Sequence, residues 1–335
     1  MSRSISIVIP TFNRPKKLAR ALESCLTQSS PPTEIIVVDN GENPETRPTV
    51  DAAKAKANSI PIRYLSSERF DIRKALACGI EAVMGDWVIL LDDDDFLVPN
   101  RIENDLCILS QTRDEVIGLI QDFLRIDYEN ELVWEHRMAD KSLGLFQALV
   151  VDDFPPPPAG TWRSIALKEH HSFHEPDGWM TDFDLYASVL PYGTIERSGQ
   201  FGYIMDDTRV AGRLTGNIDN AIDMIDLHRE RFRKYRRHQN APDHQIENRL
   251  DQQIAFFAGK VLRLKAFFGV TAPYSRKHVI ETIKGCISPL RAMLSRLFPN
   301  QMPMMRGSKT YSLKRFSKDH LNLSQQIKKS RLPSK

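Results

Sequence analysis

The sequence predicts an α/β fold, a mostly parallel sheet with helices on both faces, followed by a basic helical C-terminal region. Three observations carry this. Short apolar runs alternate with amphipathic stretches through the first third of the chain; those runs are continuous; and charge divides along the chain. Alternating β and α units make a doubly wound sheet, and continuous apolar runs suit parallel strands covered on both faces. At 335 residues the chain exceeds one average domain and has room for an appendage.

Ser4–Pro10 (SISIVIP) is a β-rich run stopped by proline, and Thr11 to Asn13 supply turn and cap chemistry before a helix over Pro15–Thr27. Glu34–Asp39 (EIIVVD) is a second strand ending in a carboxylate, and Pro44–Asn58 reads as a helix with a weak start. Pro61–Leu65 is a third strand, Ile72–Met84 a helix with Ile72, Leu76, Ile80 and Val83 on one face, and Trp87–Leu91 a fourth strand. Glu115–Tyr128 and Glu131–Arg137 read as further strands or a hairpin. The four prolines within Phe154–Gly160 break any helix or central strand. From about Ala221 the chain reads as helical and basic, and beyond Pro299 as a polar basic tail. The expected divisions are 1–219, 220–300 and 301–335.

Charged residues at 27% and hydrophobic ones at 41% exclude wholesale disorder, collagen and disulfide mini-scaffolds. No apolar run reaches the roughly 18 to 20 residues that span a bilayer, and the first apolar stretch is too short for a secretory signal, so a cytoplasmic protein is expected. Cys25, Cys78, Cys107 and Cys286 are far apart and read as buried free thiols. The net charge of +3 hides a division: residues 220–335 hold 24 Lys and Arg against 8 Asp and Glu, leaving 22 against 35 in residues 1–219. An acidic front suits divalent cations; a basic back suits an anionic surface.

Ligands of doubly wound sheets sit beyond the carboxyl ends of the strands. Those ends carry Pro10 and Thr11, Asp39 and Asn40, and Asp92 to Asp95. Four adjacent carboxylates repel one another unless solvated or bound to a cation. A solvated acidic loop capping the next helix is the plain reading. At the end of an interior strand, Asp92 and Asp94 could instead present oxygens to Mg2+ or Mn2+, which would neutralise a departing diphosphate.

The stretches Ser6–Arg14 (SIVIPTFNR), Glu34–Gly41 (EIIVVDNG) and Gly79–Asp95 (GIEAVMGDWVILLDDDD) resemble, in order and spacing, glycosyltransferase family 2, whose fold is the GT-A nucleotide-diphospho-sugar transferase fold. The resemblance covers about residues 4–215 and is strongest in the first half. It implies that Pro10, Thr11, Asn13 and Asp39 line the nucleotide pocket. Asp92 and Asp94 would form the DxD metal pair, with Asp92 or Asp93 nearer the ribose. Arg73, or Arg69, would contact the diphosphate. Leu76 and Ala77 depart from the family's polar pair on that helix. The family's general base, about 90 residues after the DxD, falls on Asp182, with Thr181 in place of the customary Glu and Asp184 as second candidate. A helix-capping role is the plain alternative for Asp182. Arg209 and Arg213 would lie in a loop over the donor phosphates.

His170, His171 and His174 lack a second ligand cluster and read as surface or acceptor-loop residues; Trp179 suits a sugar platform or packing. The segments Ile254–Val270 and His278–Phe298 mix aromatic and aliphatic residues with Lys and Arg. They read either as a packed helical subdomain or as helices on an anionic membrane face. No nucleic-acid-binding signature is present. The resemblance implies a metal-dependent inverting transferase, using Mn2+ or Mg2+, that moves a sugar from a nucleotide diphosphate donor, a UDP-sugar by expectation, to a glycan or lipid-linked hydroxyl. Such a protein would serve cell-surface polysaccharide or glycolipid synthesis, cytoplasmic or peripheral on the inner membrane face. A nucleotidylyltransferase would need a glycine-rich loop after the first strand, and PTFNRP has none. The non-enzymatic alternative is a weakened transferase-like protein that binds membrane or polyanion.

Overall fold

Ile5–Thr11 (β1) and Glu34–Asp39 (β2) are buried at every position, as strands covered on both faces must be. They pair in parallel with Thr11 opposite Asp39. Between them Pro15–Leu26 (α1) turns Leu18, Ala21, Leu22 and Cys25 inward, one stripe at helical spacing. Cys25 is thus buried as expected, but Cys78 is only partly covered and Cys107 is exposed, and Cys286 lies outside the described residues. Thr46–Lys54 (α2), Ile62–Ser66 (β3), Ile72–Ala82 (α3) and Trp87–Leu90 (β4) complete the alternation. Asp71 caps α3 by accepting from the Arg73 and Lys74 backbone N–H groups. α3 lies so close to β1 that a Cβ on Gly79 would stand 2.3 Å from Val8 Cγ1.

This computed structural model describes residues 3–69, 71–138, 155–170, 173, 185–186, 188–189, 192–208 and the backbone of 309–312, all within one compact unit. Past β4 come Phe96–Leu97 (β5), Arg101–Leu109 (α4), Val116–Asp127 (β6) and Leu132–His136 (β7), then Gly160–Arg163 (β8), Ser164–His170 (α5), Thr194–Asp206 (β9) and Lys309–Ser312 (β10). The sheet runs β10-β7-β6-β8-β4-β1-β2-β3, with β9 pairing β6 and β5. The first four strands are parallel; beyond β4 the sheet turns antiparallel at β8. The proline-rich break closes in a 3-10 turn at Pro157–Ala159, whose Pro157 carbonyl accepts from the indole of the fully buried Trp162. Lys309–Ser312, in the segment expected as a polar tail, pairs with β7.

Two buried polar features tie the later strands together. Arg101 and Asp105, a helical turn apart on α4 and fully buried, pair at 2.6 Å, while Thr161 and Gln121 also donate to Asp105. His136, at the end of β7, stacks on Phe123 with ring centroids 4.5 Å apart. Burial, and then the charge of Arg125, pushes its pKa down to about 4 against the pull of Asp207. Unfolded, the ring titrates near ~6.5. The folded state therefore binds the proton less well, and the stability at stake is present above pH ~6.5 and is lost as pH falls through about 4. The unfolding free energy from urea titrations between pH 7 and 4 should fall by up to about 3 kcal/mol from this group, and His136→Gln should flatten that slope. An unchanged slope in the variant would refute the assignment.

Candidate functional site

The ends of β1, β2 and β4 meet at one edge of the sheet. The strand order reverses between β1 and β4, and their pairing ends at Val8 and Leu90, which is where ligands of such sheets bind. Because β4 has already parted from β1, Pro10 forfeits no ladder bond on that side.

At the end of β2 the buried Asp39 is held on both oxygens: Oδ1 accepts from the Gly41 backbone N–H at 2.9 Å and Oδ2 from the Tyr64 hydroxyl at 2.8 Å. Burial, then the bond to Asp39 and its charge, pushes the Tyr64 phenol up to about 12. The Arg47 guanidinium lies over the Tyr64 ring at 4.8 Å. Asn13 adopts the left-handed conformation at φ 55°, and its Oδ1 accepts from the Glu42 and Asn43 backbone N–H groups at 2.8 Å each. It thereby ties the loop after β1 to the loop after β2. A Cβ on Gly41 would fall 2.5 Å from that oxygen, so the close approach requires glycine.

The four aspartates after β4 have separate environments. Asp93 is fully buried, accepts from Thr11 at 2.7 Å and pairs with Arg14 at 2.5 Å. Burial nevertheless outweighs Arg14 and lifts its carboxyl to about 6. Asp94 is partly open and faces Arg14 at 2.8 Å and Lys17 at 3.3 Å. Burial lowers the pKa of Arg14, but Asp93, Asp94 and Asp92 reverse that and raise it. Asp95 is buried and accepts from the Tyr203 hydroxyl and, at 2.8 Å, from the Asp206 backbone N–H. Burial and then the charge of Asp94 push its carboxyl up to about 8. Arg20 bridges the loop to β9, donating to the Asp94 carbonyl and pairing with Asp206 at 2.7 Å, its guanidinium over Phe96 at 5.1 Å.

Of the residues expected from sequence, Pro10, Thr11, Asn13, Asp39 and Asp92 to Asp94 thus stand on these three strand ends. Asp93, expected near the ribose, has its carboxylate buried. Arg73 is buried in the first turn of α3, and Arg69 pairs with Glu42 between the loops after β2 and β3. His170 stacks on Tyr192 at 3.4 Å. Asp182, Asp184, His171, His174, Trp179, Arg209, Arg213 and the segments within 254–298 lie outside the described residues. Sequence reasoning named Asp95 only as part of the acidic run and missed Tyr64, Tyr203, Asp206 and the row Arg14, Lys17 and Arg20. That row had a local signal, basic residues every third position in NRPKKLAR.

The carboxylates are hard oxygen donors suited to Mg2+ or Mn2+. Among the described residues no group of three His, Cys, Asp or Glu gathers as a metal site. Asp94, partly open to solvent, and Asp92 beside it would offer one or two carboxylates to an ion that completes its shell with phosphate and water. Among the described residues no helix is long and apolar enough to cross a membrane.

The profile described as "Glycosyl transferase family 2" matches residues 6–174. Chondroitin synthase of Escherichia coli is 25% identical over 232 residues, 68% of this chain and 31% of that protein. The uncharacterized glycosyltransferase YwdF of Bacillus subtilis is 40% identical over 101 residues, 30% of this chain and 35% of its own. The chain thus spans about a third of the length of these relatives. S. aureus TarS 1–349 in complex with UDP-GlcNAc superposes with TM-score 0.54 at 15% identity, covering 96% of this chain and 89% of that one. The mannosyltransferase PcManGT from Pyrobaculum calidifontis, in complex with GDP-Man and Mn2+, gives TM-score 0.51 at 13% identity, covering 90% and 89%. At these identities the structures are alike in fold.

Proposed function

The chain belongs to glycosyl transferase family 2, and from that premise we propose that it is an inverting, metal-dependent transferase. It moves a sugar from a UDP-sugar to a hydroxyl of a glycan or lipid-linked acceptor, in cell-surface polysaccharide or glycolipid synthesis. The observation that carries this is the convergence of Asp39 with Tyr64, Thr11, and Asp92 to Asp94 on three adjacent strand ends. TarS, alike in fold, is solved with UDP-GlcNAc, and the reading takes its donor class from that complex.

In this reading Asp39, locked by Gly41 and Tyr64, accepts a hydrogen bond from the base. Asp94 and Asp92 would hold Mn2+ or Mg2+, which when bound would supply positive charge for the leaving diphosphate. Asp93 positions the loop through Thr11 and Arg14, and Arg73 offers a guanidinium for the phosphates. Asp182 takes the acceptor proton, with Asp184 as the second candidate. The basic segments within 254–298 hold the chain against an anionic membrane surface.

A panel of UDP-, GDP- and TDP-sugars should show release of one nucleotide only, and proton NMR of the product should show the anomeric configuration opposite to the donor's. Release of none of them, or a retained configuration, would contradict the reading. Tyr64→Phe should weaken nucleotide binding about three- to tenfold by freeing the Asp39 carboxylate, with the thermal midpoint nearly unchanged; equal affinity would show that the hydroxyl plays no part.

A further inference from the structure

We propose that Arg14 and Lys17 are resident counter-cations of the DxD loop, displaced from Asp94 when the divalent ion binds and then turned to the donor diphosphate. The inference rests on the reading of this loop as the donor-phosphate site. It names two residues of that site and a coupling between its two ligands.

Arg14, at the N-cap of α1, and Lys17 and Arg20 within the helix are not equivalent. Arg20 is anchored on several sides, by the Asp94 carbonyl, by Asp206 at 2.7 Å and by the face of Phe96, and its side chain is 6% exposed. Arg14 and Lys17 instead spend their charge on carboxylate oxygens. Both approach the same atom, Asp94 Oδ2, at 2.8 and 3.3 Å. Asp94 and Lys17 have side chains 14% exposed and Arg14 39%, so this part of the cluster opens to solvent. A divalent cation on Asp94 would meet two positive groups already within contact distance of its ligand oxygen.

Two consequences follow from electrostatics alone. Arg14 and Lys17 compete with a metal ion for Asp94, so they weaken the binding of metal by itself. Once displaced, Arg14 at the N-cap and Lys17 in the first turn of α1 stand beside the loop, where a diphosphate brings the negative charge they have lost. A guanidinium and an ammonium are suited to phosphate oxygens. Metal and nucleotide then assist one another, and reciprocity requires each to raise the affinity of the other by the same factor.

The test measures Mn2+ alone by electron paramagnetic resonance, and UDP in saturating Mn2+ by calorimetry, on the full chain, Arg14→Gln and Lys17→Met. Each substitution should tighten Mn2+ alone by about three- to tenfold and weaken UDP in the presence of Mn2+ by a similar factor. The opposite signs separate exchange from simple damage, because a distorted loop would lose both. Lys17 touches Asp94 but not the buried Asp93, so Lys17→Met keeps the Asp93 anchor if Arg14→Gln disturbs it. Mn2+ affinity unchanged or reduced in both variants would overturn the exchange. If the intact chain binds Mn2+ but no nucleotide, the donor reading fails, while the Mn2+ measurements still decide the competition at Asp94.

Discussion

Asp94→Ala is expected to lower sugar transfer by about 100- to 1,000-fold at saturating donor and Mn2+, the scale of losing one preorganised electrostatic contact to a leaving group. The loss should not come from unfolding. Asp94 is partly open, and its removal relieves repulsion on Asp95, whose carboxyl it helps to push up to about 8. It also strands Arg14 and Lys17, but Arg14 keeps Asp93 at 2.5 Å. The urea midpoint should therefore stay close to that of the parent while turnover collapses. A variant at position 94 retaining more than a tenth of the parent rate would remove the metal from the account.

The largest expected effect on stability is at Asp105. Replacing it with alanine leaves the Arg101 guanidinium fully buried without its carboxylate. Breaking a buried ion pair from one side costs about 3–5 kcal/mol. Thr161 and Gln121 lose their acceptor at the same time, so the junction of α4 with β6 and β8 loosens as a unit. The space cannot be refilled from β9: a side chain at Gly202 would stand 2.6 Å from Gln121 and 2.7 Å from Arg101. The double variant Arg101→Met with Asp105→Ala should recover part of the loss, since no charge then stays buried. Denaturant midpoints for both variants check this; a single-variant loss below about 1 kcal/mol would mean that water reaches Arg101.

Much of the front half was legible because its strands are buried on both faces, which forces continuous apolar runs at Ile5–Thr11, Glu34–Asp39 and Trp87–Leu90. Their polar ends were legible for the same reason: a carboxylate closing such a run, as Asp39 and Asp92 do, contrasts sharply with what precedes it. Of the later sheet, the β6–β7 hairpin was legible as Glu115–Tyr128 and Glu131–Arg137, but β5 and β9 were not. Phe96–Leu97 is two residues long, and Thr194–Asp206 carries Glu, Arg, Ser, Gly and Gln and pairs with β6 across register shifts. The partners of Asp95 come from Tyr203 and Asp206, more than a hundred positions away. Tyr64 looked like one apolar position of a strand and proved to hold Asp39 through its hydroxyl. The row Arg14, Lys17 and Arg20 was visible as spacing, but only the packing of α1 beside the loop gives it a target.

The central claim is that the ends of β1, β2 and β4 form a nucleotide-diphosphate site. Calorimetric titration of UDP into the full chain, with GDP and TDP as comparators and with Mn2+ present or omitted, tests it most directly. The account predicts binding of one UDP per chain that needs Mn2+ and is weakened by Asp39→Ala. Absence of binding by all three nucleotides in the presence of Mn2+, or binding indifferent to Asp39, would contradict it.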